Sequence, residues 1–427
     1  MAGKESDQQF AAFPEGWKTA RLGDMISLHG GLSYKGELLS DTGNSLVTMG
    51  CVSASEKFKK SGLKRYIGDF TERHRLRVGD MVIATRDVTQ NRELLGSPAL
   101  IPEGLPGEAI IAATNLYIVT NHSDSPIEFL YWLMRTPAYR NQIVASAKGT
   151  TIVMLTKDSV ENFTFPLPTL AEQKTIAAVL GALDDKIELN RRMNATMETM
   201  ARAMFQSWFV DFDPVRAKLD GREPGGMDPD TAALFPETFE ESALGHVPNG
   251  WEVKALGEVF ELAYGKPLKA EARKHGSVCV YGANGPVGWH DEKLVSGPGI
   301  VVGRKGNPGV VTWAHGDFYP IDTTFYVKPI GACRSLYFFY YALSLQNLAN
   351  LSADSAVPGL NRNHAYMSMQ IMPSQPVLSA FDSQISPIFA AIHANEEQSR
   401  SLGLTRDMLL PRLLNGELTV TLQPSSE

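Results

Sequence analysis

The sequence has no long apolar run and very few cysteines. No stretch approaches the roughly 18 consecutive apolar residues of a membrane-spanning helix, and residues 1–9 are polar, without the apolar core of a signal peptide. These absences predict a cytoplasmic protein with no membrane segment. Cys51, Cys279 and Cys333 are odd in number and far apart, which argues against a disulfide framework or a zinc site and predicts three buried thiols.

Motifs of nucleotide, metal and base chemistry are also missing. The chain has no G-x-x-x-x-G-K-[ST] phosphate loop, no H-E-x-x-H zinc motif and no N-P-P-Y or D-P-P-Y tetrapeptide of an amino-methyltransferase. Asp211 and Asp213 form a possible carboxylate pair, but this spacing before a proline is more typical of a helix or turn cap. The glycine-rich stretch 303–309 is expected to form a basic hairpin turn. We therefore predict no catalytic residue, no metal site and no cofactor bound by this chain.

The formal net charge of −7 conceals two basic segments. Segment 57–92 has a net charge of +6 and segment 264–305 a net charge of +4, whereas the intervening segment 205–245 carries −6. Cationic segments of this kind are typical of a surface that contacts nucleic-acid phosphates. A solvated charged face is the alternative interpretation for either segment alone.

The sequence repeats itself. Residues 14–23 (PEGWKTARLG) return as residues 248–257 (PNGWEVKALG), with Pro, Gly, Trp, Leu and Gly coinciding at one offset. Three further pairs of segments follow in the same order: 79–86 with 297–304, 115–119 with 324–328, and 129–134 with 338–343. Matches that keep their order predict the duplication of a whole unit, in which Arg86 corresponds to Arg304.

A long helical pattern follows each repeated unit. Apolar residues spaced by four and three predict a helix over 170–209, which would be about 60 Å long, and a second helix that stops at Asn415 and Gly416. The two helices are expected to pair as an antiparallel coiled coil, in which a polar asparagine fixes the register. The predicted seam consists of Ile176, Leu180, Leu183, Ile187, Asn190, Met197, Met204, Ile385, Ile388, Ile392, Asn395, Leu402 and Leu409.

Within each repeated unit, short runs rich in Val, Ile, Tyr and Thr alternate with turns rich in Gly, Pro and Asn. This pattern predicts an α+β fold with substantial sheet. We predict two tandem α/β domains at 1–167 and 245–373, separated by two long helices that give the molecule pseudo-two-fold symmetry. The helical regions are predicted at 168–244, which includes a connector, and at 374–427.

Several motifs combine into a family resemblance. The two Pro-x-Gly-Trp-x4-Leu-Gly openings, LAEQ at 170–173 and SWFVDFDPVR at 207–216 are similar to those of type I restriction-modification specificity subunits. Segments 281–288, 303–306 and 320–327 are similar to one kind of target recognition domain in that family. The second helix departs from the family pattern, because LSAFDS from Leu378 replaces its Ala-Glu-Gln entry.

The resemblance implies a non-catalytic subunit that recognises an asymmetric bipartite site in double-stranded DNA. Each target recognition domain would read one half-site, and the helical regions would set the unread spacer. The implied partners are two methyltransferase (modification) subunits and, in the full complex, two restriction/translocase subunits. S-adenosylmethionine, ATP and Mg are expected on those partners.

DNA contacts are expected from both domains, with Lys and Arg on phosphates and Arg, Asn and Gln on base edges. The candidates in the first domain are Lys35, Lys57, Lys60, Arg86, Asn91, Arg92, Lys148, Thr150 and Thr151. Those in the second domain are Lys266, Asn284, Arg304, Lys305, Asn307, Asn361 and Arg362. Segments 87–113 and 305–322 differ in length and composition, so we expect two different half-sites.

Two other functions are compatible with parts of the sequence. A stand-alone DNA-binding repressor or architectural protein would use the same duplicated domains without an enzyme partner. An enzyme of another chemistry would have to use Asp211 and Asp213. Co-purification with a methyltransferase subunit distinguishes the first alternative, and activity of the isolated chain distinguishes the second.

Overall fold

The structure is a computed structural model that describes residues 14–87, 92–147, 153–353 and 359–420. It forms two compact units, unit 1 (Met1–Leu189 with Gln398–Glu427) and unit 2 (Asn190–Glu397). Both units combine sheets with helices, which confirms the α+β prediction. Across the described residues, none of the helices combines the length and the apolar character that crossing a membrane requires.

Unit 1 is built on a four-stranded antiparallel sheet, and a five-stranded sheet lies in the same unit. Its strands are β1 (Lys18–Arg21), β2 (Ile26–Gly30), β3 (Leu39–Ser40), β4 (Asn44–Val47), β5 (Lys64–Tyr66), β6 (Arg75–Leu76), β7 (Met81–Ala84), β8 (Arg86–Asp87), β9 (Pro98–Leu100), β10 (Ile110–Ala112), β11 (Leu116–Asn121), β12 (Val153–Met154) and β13 (Thr164–Leu167). Its helices are α1 (Ile127–Leu133), α2 (Pro137–Ser146), α3 (Lys157–Glu161) and the first half of α4 (Leu170–Phe209). The main sheet has the order β2-β11-β7-β9, and the second sheet has the order β3-β5-β4-β10-β6.

Unit 2 begins with the second half of α4, followed by α5 (Asp213–Leu219) and α6 (Pro229–Ala233). Its strands are β14 (Phe239–Ser242), β15 (Gly245–Pro248), β16 (Glu252–Ala255), β17 (Phe260–Tyr264), β18 (Val278–Gly282), β19 (Gly285–His290), β20 (Gly299–Gly303), β21 (Val311–Ala314), β22 (Phe318–Pro320), β23 (Thr324–Pro329), β24 (Ser352–Ala353), β25 (Gly359–Leu360) and β26 (Met369–Met372). The remaining helices are α7 (Leu256–Val259), α8 (Leu336–Leu345), α9 (Arg362–Met367) and α10 (Gln375–Leu414), of which the last ends in unit 1.

The main sheets of the two units repeat each other. In unit 2 the order is β17-β23-β20-β21, which matches β2-β11-β7-β9 strand for strand in sequence order and direction. The matched sequence segments occupy equivalent strands, β7 with β20 and β11 with β23, and equivalent helices, α1 with α8. The predicted equivalence of Arg86 and Arg304 is wrong by one residue, because the pairing with the central strand and the next backbone hydrogen bond place Thr85 at the position of Arg304. The pair β1–β13 likewise matches β16–β26. The sequence repeat is therefore a structural repeat.

Each unit has its own apolar core. In unit 1, α1 (IEFLYWL) is apolar nearly all round, and Phe129 and Trp132 are fully buried against the main sheet. In unit 2, rings from α4, α8 and α10 pack together, and the centroids of Phe209 and Phe381 are 4.9 Å apart. Burial of one such side chain stabilises a fold by about 1.5–3 kcal/mol. Packing of this kind fixes the sheets that carry the surface loops.

The long helices match the predicted spans. Helix α4 covers Leu170–Phe209 as predicted, and α10 ends at Leu414, just before Gly416 takes a left-handed φ of +81°. Within unit 2, Asn190 donates from Nδ2 to the carbonyl of Asn395, and Asn194 donates from Nδ2 to the carbonyl of Ile392. Residue numbers rise on one helix as they fall on the other, which confirms the antiparallel pairing.

The seam between the helices is polar at several positions. Every residue of the predicted seam is buried or half-buried, and Asn190 is fully buried. Asn395 donates from Nδ2 to Oδ1 of Asn194 at 2.8 Å, within unit 2. In unit 1 the sequence analysis missed an ion pair, in which Nη1 of Arg406 lies 2.5 Å from Oδ1 of Asp184. Both side chains are 7% exposed, so this pair is part of the core.

The remaining predictions on cysteines and carboxylates have mixed outcomes. Cys51 is buried, and burial raises its pKa to about 11. The prediction of buried thiols is wrong for Cys279 and Cys333, which are half-buried because they lie in a strand of a small sheet and in the loop before α8. Asp211 lies in the turn after α4 and accepts a hydrogen bond at Oδ1 from Gln206, and Asp213 is the first residue of α5. The predicted helix cap is wrong for both carboxylates, because Phe212 is the N-cap of α5 and no side chain among the described residues caps this helix.

Candidate nucleic-acid interface

In unit 2 the main sheet brings two strand ends to one edge. Strands β17 and β20 both pair antiparallel with β23, so they run in the same direction and end on the same side. The register places Tyr264 opposite Phe325 and Gly303 opposite Thr324. The residue that follows β20, Arg304, therefore lies beside the end of β17.

Two arginines lie against the ring of Tyr264, and we call these three residues the unit 2 edge. The guanidinium carbons of Arg304 and Arg362 each lie 4.9 Å from the ring centroid of Tyr264, which is 50% exposed. Contacts of this kind contribute about 0.5–1 kcal/mol at exposed sites. Arg304 also donates to the carbonyl of Asp322 at 2.9 Å, and Arg362 donates to the carbonyl of Leu262 at 3.4 Å. Both guanidinium groups are thus held in place at an accessible surface.

Two loops meet beside the unit 2 edge. The β20–β21 loop is the predicted basic hairpin turn, and Asn307 in this loop donates a hydrogen bond from Nδ2 to Oδ1 of Asn284 in the β18–β19 turn. A Cβ on Gly303 would overlap the carbonyl oxygens of Asn307 and Ala283, so this close approach requires glycine. The loops therefore support each other, and both asparagine side chains are exposed.

Lys266 and Lys305 are exposed, whereas their backbones are fixed. The backbone N–H of Lys266 donates to the carbonyl of Pro320, and that of Lys305 donates to the carbonyl of Thr323, both at 3.1 Å. A lysine of this kind presents a movable ammonium group from a rigid position. Such a group can bind a phosphate without reading the sequence.

Asn361 has a structural role that the sequence analysis did not foresee. Its side-chain oxygen accepts hydrogen bonds from the backbone N–H groups of Asn363 and His364, so Asn361 is the N-cap of α9. This cap makes Arg362 the first residue of the helix. Asn361 thereby positions an arginine of the unit 2 edge.

The corresponding edge of unit 1 has the same backbone but different side chains. Strands β2 and β7 flank β11, and Gly30 lies opposite Tyr117, as Tyr264 lies opposite Phe325 in unit 2. Lys157 is the first residue of α3, and its Nζ lies 6.0 Å from the ring centroid of Tyr117. We call Gly30, Arg86 and Lys157 the unit 1 edge. Gly30 and Lys157 take the places of Tyr264 and Arg362. Arg86 lies one residue beyond the position that corresponds to Arg304.

The described residues on either side of segment 88–91 are held by hydrogen bonds. Arg86 begins β8 and is half-buried, and the next residue, Asp87, is buried and accepts hydrogen bonds from the backbone N–H groups of residues 94–95. Arg92 has a left-handed φ of +52°, and its carbonyl accepts a hydrogen bond from Nη2 of Arg140 at 2.7 Å. These contacts hold Asp87 and Arg92, the described residues on either side of segment 88–91.

The other first-domain candidates lie on separate elements. Nζ of Lys57 lies 2.5 Å from Oδ1 of Asp185 on α4, so this lysine ties the domain to the helix. Lys35 is exposed and lies 3.8 Å from Glu37, and Lys60 is exposed at the start of a 3-10 turn. Four candidates lie outside the described residues: Asn91, Lys148, Thr150 and Thr151.

Sequence reasoning missed a cationic groove in unit 1. Arg73, Arg75 and Arg77 line a groove of about 610 Å³. Nε of Arg75 lies 3.0 Å from Glu72, and burial together with the charge of Arg73 lowers the pKa of His74. The available signal was the net positive charge of segment 57–92, which contains all three arginines. For Tyr264, the signal was its alignment with Gly30 at the repeat offset.

The chain matches the family described as type I restriction modification DNA specificity domain over residues 14–199 and 248–364. It is 29% identical over 360 residues to the type I restriction enzyme HindI specificity subunit of Haemophilus influenzae, covering 68% of this chain and 77% of that protein. It is 25% identical over 318 residues to the MjaIX specificity subunit of Methanocaldococcus jannaschii, covering 69% of each.

A solved structure shows the same fold. The crystal structure of the type I restriction-modification system S subunit from M. genitalium matches with a TM-score of 0.57 and 16% identity, over 93% of this chain and 96% of that chain. The family match includes both repeated Trp motifs and both sheet edges. The chain therefore belongs to the family of type I restriction-modification specificity subunits.

Proposed function

We propose that this chain is the non-catalytic DNA-recognition subunit of a type I restriction-modification complex and that it reads an asymmetric bipartite site. One observation carries the proposal: the same sheet occurs twice, and its corresponding edges are both cationic but differ in residue type. The unit 1 edge has Gly30, Arg86 and Lys157, and the unit 2 edge has Tyr264, Arg304 and Arg362. A duplicated scaffold with unequal reading surfaces suits two unequal half-sites.

In unit 2 we assign base reading to Arg304 and Arg362. A guanidinium can donate two hydrogen bonds to O6 and N7 of guanine, and each good pair of this type contributes about 1–3 kcal/mol of discrimination. The contact with Tyr264 limits the rotamers of both arginines before DNA binds, which lowers the entropic cost of the contact. Lys266 and Lys305 would bind phosphates, and Asn284 and Asn307 would approach base edges from the paired loops.

In unit 1 we assign base reading to Arg86 and Arg92, with Lys157 as a further candidate. Lys35 and Lys60 would bind phosphates, together with the groove that contains Arg73. Lys57 is better suited to positioning, because Asp185 already holds its ammonium group. Asn91, Lys148, Thr150 and Thr151 keep the roles predicted from the sequence, namely contacts from two loops that approach DNA.

The proposed partners are two methyltransferase subunits and, in the full complex, two restriction/translocase subunits in the cytoplasm. S-adenosylmethionine, ATP and Mg would be bound by those partners. Apolar side chains on the long helices support a partner surface: Met193, Met200, Leu404 and Met408 are 42–65% exposed. Helix pairing in each unit leaves these side chains uncovered, and exposed apolar groups favour association with a partner protein. The helices themselves would set the unread spacer.

The decisive experiment is co-expression with the neighbouring methyltransferase gene, followed by affinity purification and single-molecule sequencing of the methylated host DNA. We expect co-purification and methylation of a motif with two different halves. DNA binding without co-purification would favour the stand-alone repressor. Methylation by the methyltransferase that persists at the same motif when this chain is deleted would contradict the recognition role.

A further inference from the structure

Three potential metal ligands converge in unit 2, away from the unit 2 edge. His315 follows β21, whereas His393 and Glu396 lie on α10, and the candidate ligand atoms of all three residues lie within 4.8 Å of one another. The imidazole rings of His315 and His393 are stacked at 8° with their centroids 4.8 Å apart. Nε2 of His315 lies 3.5 Å from Oε2 of Glu396.

The fold holds these side chains in place. His393 and Glu396 are three residues apart on α10 and so share one helix face. The ring of Phe389, one turn earlier on the same face, packs on Trp313 at 4.8 Å and approaches His315 at 6.3 Å between centroids. The His315 side chain is only 17% exposed. Core packing therefore fixes His315 and the helix face that carries the other two residues, whereas the Glu396 side chain is 52% exposed.

The surroundings of the cluster favour a cation. A cavity of about 220 Å³ is lined by His315, Glu396 and also Glu198 and Arg202 of α4. Burial raises the pKa of Glu396, and the charges of Glu198 and Glu397 raise it further. Arg202 stands four residues after Glu198, at the spacing where opposite charges pair on a helix. A neutral imidazole offers a metal ion the lone pair of one ring nitrogen, and each of the two histidines can supply one such nitrogen.

We propose that His315, His393 and Glu396 bind a divalent transition-metal ion, for which Zn²⁺ is the best match. Two imidazoles and one carboxylate are a donor set that zinc uses, and the fourth position would be filled by water or by Glu198. Zn–N distances near 2.0–2.1 Å place tetrahedral ligands about 3.4 Å apart. Side-chain rotations of His393 and Glu396 would close the present gaps. The ion would connect the end of β21 to α10 and so fix the main sheet of unit 2 on its helix.

The sequence analysis did not predict this site. His315 and His393 are nearly 80 residues apart, and short ligand spacings were the only metal signal considered. The His-x-x-Glu pair at 393–396 is a weak signal by itself, since an exposed helix often contains such pairs. The third ligand becomes apparent only when β21 and α10 are packed together.

Zinc binding to the full-length chain tests the proposal. The protein is stripped with EDTA, and Zn²⁺ is then titrated in competition with a chromogenic chelator. We expect the unaltered chain to bind one equivalent of Zn²⁺ with high affinity. The variants His393→Gln and Glu396→Gln should bind this ion at least about 10-fold more weakly, since even an outer-shell change weakens metal sites by that factor. The matched controls His275→Ala and His364→Ala, both exposed histidines of unit 2, should bind like the unaltered chain.

Two further readouts separate binding from folding. Zn²⁺ should raise the Tm of the unaltered chain by several degrees and leave the Tm of Glu396→Gln unchanged, whereas in EDTA both chains should melt alike. Co²⁺ should give visible absorption bands that His393→Gln lacks. Equal Zn²⁺ affinity in all variants, or no high-affinity equivalent in the unaltered chain, would overturn the proposal. The stacked histidines would then be a packing contact alone.

Discussion

The same sheet edge occurs twice in this molecule with different chemistry. In unit 2 a half-exposed tyrosine, Tyr264, holds Arg304 and Arg362 against its ring, whereas in unit 1 the corresponding strand ends in Gly30, which has no side-chain ring. The strands beneath are buried in both units, so their sequence is restricted by packing. Edge residues contribute little to either core and can change without loss of the fold. Recognition can therefore diverge while the scaffold stays constant.

The helix seams differ in a similar way. In unit 1 the seam contains the buried ion pair Asp184–Arg406, and in unit 2 it contains the amides of Asn194 and Asn395. Although burial opposes its charge, the hydrogen bonds that Arg406 donates to the carboxylates of Asp407 and Asp184 raise the pKa of Arg406. Both the ion pair and the amide pair disfavour a shift in helix register, because a shift would leave a buried polar group without its partner. They differ in how strongly they do so.

The largest expected effect is at the ion pair. The substitution Arg406→Ala leaves Asp184 buried without its charge partner, which costs about 3–5 kcal/mol. We expect this loss in the free energy of unfolding of unit 1. Hydrogen exchange read by mass spectrometry checks it, because peptides from unit 1 and unit 2 are measured separately.

A matched control replaces both charges in that seam. The double variant Asp184→Leu with Arg406→Met fills the same space with apolar groups and should recover most of the stability. Unit 2 peptides should exchange as before in both proteins. If the single and double variants lost equal stability, the cost would come from packing and not from the unpaired carboxylate.

The two edges can be separated by removing one arginine at a time. Arg304→Ala should cost about 1–3 kcal/mol of DNA affinity and relax one position in one half-site, and Arg86→Ala should act on the other half-site. Methylome sequencing of strains that carry each variant provides the measurement. An unchanged motif and unchanged occupancy in the Arg304→Ala strain would exclude base reading by Arg304.

The ring of Tyr264 provides a finer comparison at the same edge. Tyr264→Phe retains the aromatic face and should recognise DNA like the unaltered chain, whereas Tyr264→Ala should lose up to about 1 kcal/mol of binding. Competition binding with oligonucleotides of fixed sequence measures both. Equal loss in the two variants would assign the effect to the hydroxyl group and not to the ring.

A smaller effect is expected in the unit 2 seam. Asn395→Ala removes the hydrogen bond to Asn194, and a net loss of about 1 kcal/mol in the stability of unit 2 follows from breaking one such bond. Ala391→Ser, at an exposed position of the same helix, is the control and should stay within about 0.5 kcal/mol. A loss as large as that of Arg406→Ala would mean that the amides and the ion pair stabilise the helix pair equally.

The smallest effect distinguishes the two repeated tryptophans. Trp17 donates from Nε1 to Glu172 at 3.0 Å, whereas Nε1 of Trp251 has no hydrogen-bond partner among the described residues. We expect Trp17→Phe to cost somewhat less than about 1 kcal/mol and Trp251→Phe to be nearly neutral. Urea denaturation of the two variants measures the difference. A larger loss in Trp251→Phe would show that shape, and not hydrogen bonding, dominates at both sites.

This last comparison also depends on pH. Burial alone would raise the pKa of Glu172, but hydrogen bonds from Thr169 and Trp17 lower it below the ordinary value of a glutamate. A depressed carboxyl pKa stabilises the fold above the unfolded pKa, and this contribution is lost as pH falls through the folded pKa. When the pH falls from neutral to below 4.5, the free energy of unfolding of Trp17→Phe should therefore decrease less than that of the unaltered chain.

The sequence predicted those features that depend on local periodicity. The span of α4 follows from its apolar spacing, and the end of α10 follows from Gly416, because both signals lie within a few residues along the chain. The equivalence of β7 and β20 was also predictable, since buried strands retain their apolar pattern after duplication.

Features that depend on distant contacts were not predictable. The sequence analysis did not single out Asp184 or Arg406, because their burial arises only when α4 packs on α10. Tyr264 was not among the predicted site residues, since the arginines reach its ring only through the register of three strands and the start of α9. Asn361 was interpreted as a DNA contact, whereas its side chain caps α9. Polar residues have several uses, and sequence alone does not choose among them.

Helix α10 belongs partly to unit 2 and partly to unit 1, which determines the order in which the two units are completed during translation. Helix α10 begins in unit 2 but supplies Leu410, Leu413 and Leu414 to the core of unit 1. Chains emerge from the ribosome N-terminus first, so unit 2 has all its residues once Glu397 has been made. Unit 1 is synthesised earlier, but until the end of α10 has been made its apolar core is incomplete and Asp184 lacks Arg406. The first half to be translated is therefore the last to become complete.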